Sequence, residues 1–212
     1  MRRPILLVCL AAICGSAAMT ATAGAAVPVP RNYAQCYDYV RSYFGIEGGR
    51  LRSVQAEWCE ILIARRAAGV GMPVRNGILG STSLAHATAS VNAHSWDRSN
   101  GLVSHLNPGT PVPADQNALQ TLVNQQVDAR IRGAGYCANG SSYADAEITY
   151  ADPAKRNDAM VGAIRFWKTD PPHRAVLIDP KWTDIGIAVV SPSAFPGDTT
   201  GSTYVVDLGM CH

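Results

Sequence analysis

The order of helical and extended stretches constrains the fold of this 212-residue chain more than any other feature of its sequence. Helical stretches end at glycine or proline breaks, and shorter extended stretches lie in the C-terminal half. The predicted helices are 33–44, 53–68, 83–98, 115–134 and 154–170, with a single turn at 174–178, and the predicted strands are 144–150, 185–190 and 204–208. Helices on either side of a small sheet accommodate this order, so we predict an α+β fold, a three-layer α–β–α sandwich with a small antiparallel sheet.

The first 26 residues are typical of a secretory signal peptide. Arg2 and Arg3 form a positive start, an apolar run follows at 5–19, and small residues at 21–26 supply cleavage sites of the A-x-A kind. The apolar run is shorter than the roughly 20 residues that a helix needs to span a bilayer. We therefore predict a secreted, extracellular protein without a transmembrane anchor after signal removal.

Removal of the signal also changes the charge of the chain. It takes away two arginines and no acid, so that 16 basic residues face 16 acidic ones. A neutral chain offers no electrostatic surface for nucleic acid or for an anionic membrane. We expect neither class of partner.

The cysteine pattern is consistent with export. Two of the six cysteines lie in the signal, and those that remain are Cys36, Cys59, Cys137 and Cys211. An even number without any C-x-x-C pair indicates two disulfides rather than a zinc or redox site. Three pairings are open. We favour Cys36–Cys59, which would tie an N-terminal extension to the next helix, and Cys137–Cys211, which would fasten the last residues to the interior of the sequence.

The histidines are the first candidates for chemistry. His105 and His173 lie at helix–loop boundaries beside turns rich in proline and glycine, where functional side chains are often presented. His86 and His94 fall inside a predicted helix, and a packed or surface role is the simpler interpretation for both. No H-E-x-x-H, G-x-S-x-G or phosphate-binding glycine loop occurs, and no Ser-His-Asp triad can be nominated.

Several short motifs follow one another from residue 53 onward. They are ILIARRAAG at 61–69, LAHA at 84–87, SH at 104–105, RIRGAGY at 130–136, AEI at 146–148, FWKTDPPHR at 166–174 and YVVDLG at 204–209. In this order they resemble the CAP superfamily, the cysteine-rich secretory, antigen 5 and pathogenesis-related proteins, whose domain is also called SCP. The Trp–Pro–His–Arg block, similar to a bacterial "W-m-x-S-p-g-H-R" signature, is the most specific. We divide the chain into a signal peptide at 1–26, an extension with a helix and Cys36 at 27–52, and a CAP-like domain at 53–212.

The resemblance implies a central cleft lined by two histidines and acidic residues. His105 and His173 match the two histidines and Glu147 matches the first acid. Two neutral imidazoles and a carboxylate could hold a divalent ion such as zinc with a position open for water, or relay protons without a metal. The second acid has no clear counterpart: Asp158 and Asp170 are candidates, although a surface or capping role is the simpler interpretation for Asp170.

The residues favour binding over catalysis. No nucleophile can be nominated, and the family's G-E-N-I strand reads Ala-Glu-Ile-Thr here. Because CAP proteins are associated with sterol or lipid binding, the resemblance implies a non-enzymatic binding protein for a lipid or sterol-like or cell-envelope ligand. The alternative is a metal-assisted or acid–base hydrolase of envelope polymer or peptide that uses His105, Glu147 and His173. A third interpretation is a structural extracellular domain whose histidines are buried and hydrogen-bonded.

Overall fold

The computed structural model describes residues 35–36, 50–140, 142–153 and 159–212. The predicted signal peptide, most of the helix predicted at 33–44 and the candidate acid Asp158 lie outside these ranges. The elements are α1 (Arg50–Ala67), β1 (Val74–Arg75), α2 (Gly77–Ala93), a 3₁₀ helix (Gly101–His105), α3 (Gln116–Gly133), β2 (Tyr143–Asp152), α4 (Ala159–Thr169), α5 (Pro171–Leu177), β3 (Asp184–Val190) and β4 (Ser202–Cys211).

The four strands form one sheet in the order β1–β3–β4–β2. The pairs β2–β4 and β3–β4 are antiparallel, whereas β1 runs parallel to β3 through Val74 and Arg75. The sheet is therefore mixed. The prediction of an antiparallel sheet is wrong at one edge, where β1 runs parallel to β3. Two residues are too few to show the alternation by which a strand is recognised in sequence.

Alternate residues of β3 show why helices cover both faces of the sheet. Ile185, Ile187 and Val189 pack into a core shared with α1 and α4, while Ala188 packs against α2. Successive side chains of a strand point to opposite faces, so α1 and α4 lie on one side and α2 on the other. The fold is thus the predicted α+β sandwich of helix, sheet and helix layers.

Gly186 lets α2 lie directly on the sheet. A Cβ atom at this position would overlap the backbone carbon of Leu79 and the backbone nitrogen of Gly80. Both are main-chain atoms that cannot move aside. The close approach requires glycine here.

The predicted helix 83–98 is shifted in the structure. Helix α2 begins at Gly77, because Asn76 caps it with a side-chain oxygen that accepts from the N–H groups of Ile78 and Leu79. It ends at Ala93, where His94 takes up a left-handed conformation. Trp96, predicted as part of the helix, is buried in the loop beyond it.

Helix α3 follows its prediction to within one residue at each end. Asp115 caps its start, and the buried residues Leu119, Val123, Val127 and Ile131 recur along one side. These side chains pack with Leu79 of α2 and Tyr143 of β2, which places α3 beside the sheet edge.

The structure contains the disulfides Cys36–Cys59 and Cys137–Cys211, the pairing that we favour from the sequence. Among the described residues, none of the helices combines the length and the apolar character needed to cross a membrane.

Candidate functional site

A cleft of about 520 Å³ runs along β2 between α3 and α5. Its lining consists of apolar and polar residues from both helices, from β2 and from the 3₁₀ helix: Leu102, His105, Gln120, Val123, Asn124, Val127, Asp145, Ala146, Glu147, Ile148, Pro172, His173 and Val176. Three of the candidates from the sequence, His105, Glu147 and His173, therefore lie in one cleft.

The 3₁₀ helix places His105 over β2. Asn100 caps this short helix by accepting from the N–H of Leu102, and the carbonyl of His105 accepts from Nη1 of Arg130 at 2.9 Å. The ring Nδ1 of His105 lies 2.9 Å from Oε1 of Glu147. A carboxylate can only accept, so Nδ1 carries the hydrogen.

Glu147 is the centre of the buried polar contacts. Its side chain is fully buried, and its Oε2 accepts from Nη2 of Arg130 at 2.9 Å. Nε2 of His86 lies 3.8 Å from Oε1. Burial by itself raises the pKa of Glu147, but the charges of His86 and Arg130 and the hydrogen bond from His105 outweigh it and hold the pKa well below the ordinary value. Glu147 is thus a fixed negative charge beneath the cleft.

Asp207 lies directly opposite Glu147 on β4 and is completely buried. Burial and the negative charge of Glu147 raise the pKa of Asp207 well above its ordinary value. Ser83 Oγ lies 2.9 Å from Asp207 Oδ2 and 3.0 Å from the carbonyl of Leu79. The hydrogen bond that Ser83 donates to Asp207 lowers the pKa of Asp207, but it does not outweigh burial and the charge of Glu147.

Sequence reasoning missed Asp207, although a signal was present. An acid in the middle of the apolar stretch YVVDLG is a buried charge if the stretch is an inner strand. Its partner, however, lies 60 residues earlier in the sequence, and the strand pairing that joins them cannot be read from the sequence.

His86 is a packed residue, as its place in a helix indicates. It is 2% exposed, and its Nε2 donates to the carbonyl of Ser104 at 2.9 Å. Burial lowers its pKa. Ser104 places its own hydroxyl 2.6 Å from that of Thr149, so the adjacent Ser104 and His105 form no nucleophile–base pair.

His173 forms the second histidine–carboxylate pair of the cleft. Asp170 Oδ2 accepts from its Nδ1 at 2.6 Å and also caps α5. The ring lies 4.9 Å from the centroid of Phe166. Burial lowers the pKa of His173, the hydrogen bond to Asp170 opposes that shift, and His105 adds to it. Asp170 is therefore both a capping residue and the partner of His173, and it does not join Glu147.

The residues do not fit the divalent metal that the resemblance implies. No three His, Cys, Asp or Glu side chains of the described ranges come together in a way that could hold a metal ion. Both oxygens of Glu147 are already hydrogen-bonded, and the guanidinium of Arg130 lies where a second cation would be repelled. The predicted zinc ligands His105, Glu147 and His173 share a cleft without forming a metal site.

What remains for a ligand is one nitrogen on each ring. In His105 and His173 the Nδ1 atoms are bonded to carboxylates, and for their Nε2 atoms we find no hydrogen-bond partner among the described residues. Each Nε2 accepts a hydrogen bond when its ring is neutral and donates one when it is protonated. The cleft thus offers two adaptable polar contacts between apolar walls.

Comparisons with known proteins indicate the fold and no more. No family model and no curated protein matches the sequence. The structure is similar to that of an outer surface protein from Borrelia burgdorferi, with a TM-score of 0.51 and 16% identity over 76% of this chain and 93% of that chain. An extracellular protein containing a SCP domain from Bacillus anthracis gives a TM-score of 0.49 and 11% identity over 85% of this chain and 44% of that chain. The first likeness supports a shared fold, and the second is too weak to carry an inference.

Proposed function

We propose that this protein is a secreted binding protein of the CAP type that holds a ligand in the β2 cleft without transforming it. The observation that carries this proposal is the make-up of the cleft. Its described lining contains two imidazoles between apolar walls and no serine, threonine, cysteine or lysine that could act as a nucleophile. Its two carboxylates are already hydrogen-bonded, Glu147 to His105 and Arg130 and Asp145 to Tyr143. A cleft of about 520 Å³ suits a small ligand.

The ligand should combine an apolar body with hydrogen-bonding groups. Val123 and Val127 form one wall and Val176 stands on the other, while Nε2 of His105 and of His173 are available to polar groups. A lipid or sterol-like molecule, or a fragment of the cell envelope, has this character. The hydrolase alternative has less support, because the proposed metal donors do not fit.

The proposal of secretion rests on the predicted signal peptide and on the two disulfides, which persist in oxidising compartments. The name of the Borrelia protein, an outer surface protein, is consistent with it.

Binding of two fluorescent amphiphiles tests the proposal. We expect cis-parinaric acid, a fatty acid, or dehydroergosterol, a sterol, to bind the mature protein saturably. Asn124→Trp adds bulk at an exposed cleft position and should lower the affinity at least tenfold, whereas Gln125→Trp, exposed on the same turn but outside the lining, should not. Binding that Asn124→Trp leaves unchanged would place the ligand elsewhere, and chemical conversion of the bound probe would refute a purely binding role.

A further inference from the structure

The cleft follows the outer edge of a strand. Four consecutive residues, 145–148 of β2, line it. Successive side chains of a strand point to opposite faces of the sheet. A cavity that touches all four must therefore lie beside the backbone rather than above either face. Strand β2 is the last strand of the sheet on this side, with β4 as its neighbour within the sheet.

The pairing with β4 determines which backbone groups of β2 face the cleft. Ser142 and His212 exchange both backbone hydrogen bonds, at 3.0 and 3.1 Å. In an antiparallel pair the groups directed at the partner strand alternate with those directed away. Counting from Ser142 in steps of two, Ala144, Ala146 and Ile148 face β4. The N–H and C=O groups of Asp145 and Glu147 then face outward.

Two further contacts agree with this assignment. The backbone of Gly209 is directed at β3, because its carbonyl accepts from the N–H of Thr183 at 3.0 Å, so the residues that alternate with it on β4 face β2. On β2 itself, the carbonyl of Thr149 accepts from the indole N–H of Trp167 on α4 at 2.9 Å. Thr149 thus has an outward carbonyl, and Trp167 closes the edge there. The open part of the edge lies at Asp145 and Glu147.

The main chain of Glu147 is accessible at this edge. Its side chain is 0% exposed, yet the residue as a whole is 9% exposed, so the exposed surface belongs to its backbone. For the N–H and C=O of Glu147 and the C=O of Asp145 we find no partner on the outer side among the described residues. The N–H of Asp145 is bonded by its own carboxylate. An unpaired strand edge is a template for a further strand.

We propose that the cleft takes an extended peptide segment, which adds a strand to β2 between α3 and α5. In an antiparallel orientation one ligand residue exchanges two hydrogen bonds with Glu147, and the residue two positions away donates its N–H to the carbonyl of Asp145. Ligand side chains alternate between the wall of Val123 and Val127 and the wall of Pro172 and Val176. Small and branched apolar side chains fit both walls. This inference rests on the proposed binding function and specifies a peptide as the cell-envelope fragment that the same cleft would take.

The test uses a blocked peptide, acetyl-Ala-Val-Ala-Val-Ala-amide, titrated into the ¹⁵N-labelled mature protein. We expect the amide signals of Asp145 and Glu147 to shift and hydrogen exchange at Glu147 to slow at least tenfold at saturation. The same peptide N-methylated at its three central residues, which lacks their N–H donors, should bind at least tenfold more weakly. Asn124→Trp should weaken binding by a similar factor and Gln125→Trp should not.

A titration of the same samples with cis-parinaric acid distinguishes a failure of strand addition from a failure of the proposed binding function. If the fatty acid binds and the peptide does not, or if the N-methylated peptide binds equally well, strand addition is refuted and the binding function stands. If the peptide shifts signals only outside the cleft, strand addition is refuted too. If neither probe binds, both proposals fail.

Discussion

Glu147 on β2 and Asp207 on β4 lie directly opposite each other, with both side chains buried and their pKa values displaced in opposite directions. Arg130 and His105 stabilise the charge of Glu147, while Asp207 has no basic side chain among its hydrogen-bond partners in the described residues. The pair therefore joins one acid whose pKa lies below its ordinary value to one whose pKa lies above it.

Asp207→Asn should gain stability relative to wild type as the pH rises. The folded protein keeps the Asp207 proton at pH values where the unfolded chain has lost it. The contribution of Asp207 to wild-type stability therefore falls as the pH rises above about 4, the ordinary carboxyl pKa. The asparagine side chain of the variant does not titrate, so the variant does not show this loss of stability. Urea unfolding at pH 4.5 and pH 8 measures the difference, which should grow by at least about 1 kcal/mol in favour of the variant. Asp97→Asn, at an exposed site, should show no such gain; parallel pH dependences of stability for Asp207→Asn and wild type would contradict a raised pKa of Asp207.

Arg130→Met should destabilise the protein by about 3 kcal/mol, because it leaves the buried Glu147 carboxylate without its cation. Glu147 has a lowered pKa, so its favourable contribution is present above about pH 4 and is lost as the pH falls. The gap between variant and wild type should therefore narrow in acid. Arg132→Met, which removes an exposed pair with Asp128, should cost much less than Arg130→Met in the same urea unfolding series. Equal losses for the two variants would refute the special role of Arg130.

Asp170→Asn should lower the pKa of His173 further. Burial already lowers it, and the hydrogen bond to Asp170 is the contact that opposes burial. Asparagine also caps helices well, so α5 should remain intact. NMR titration of the histidine ring signals measures the shift. Asp115→Asn, at the cap of α3, serves as the control and should leave the pKa of His173 unchanged. A rise in the pKa of His173 in Asp170→Asn would contradict the stabilisation of the protonated ring by Asp170.

Arg65→Met should cost at least about 3 kcal/mol. The side chain is buried and donates to the carbonyls of Leu177, Asp179, Trp182 and Gly71, which joins α1 to the segment between α5 and β3. Lysine, with a single ammonium, cannot reach all these acceptors. Chemical denaturation of Arg65→Met beside Arg66→Met, at the next, exposed position, measures the effect. A loss at Arg65 no larger than at Arg66 would rule out this anchoring role.

The sequence predicts those elements whose local signals are strong. Helix α3 has apolar residues at helical spacing and a capping Asp115, and its bounds are predicted within one residue. Helix α2 is built largely from small and hydroxylated residues, so its apolar pattern is weak, and the start at Gly77 depends on the cap by Asn76. Strand β1 is missed because it exists only through its pairing with β3.

The candidate site is predicted only in part from the sequence. His105, Glu147 and His173 follow from the order of motifs, and all three line the cleft. The further partners of Glu147 do not follow, because these contacts join separate elements of the chain. Asp207 reaches Glu147 through strand pairing, and Arg130 reaches it from a helix 17 residues earlier.

The buried pair Glu147 and Asp207 also disfavours mispairing of β2 and β4 during folding. Moving β2 or β4 by one residue would turn Glu147 or Asp207 from the side that carries Ser83 and His86 into the apolar core beneath α1 and α4. A carboxyl group in that core would have no comparable partner, so each mispaired sheet carries a large penalty. The two acids thus lower the stability of the native sheet somewhat, but they lower the stability of the mispaired sheets much more.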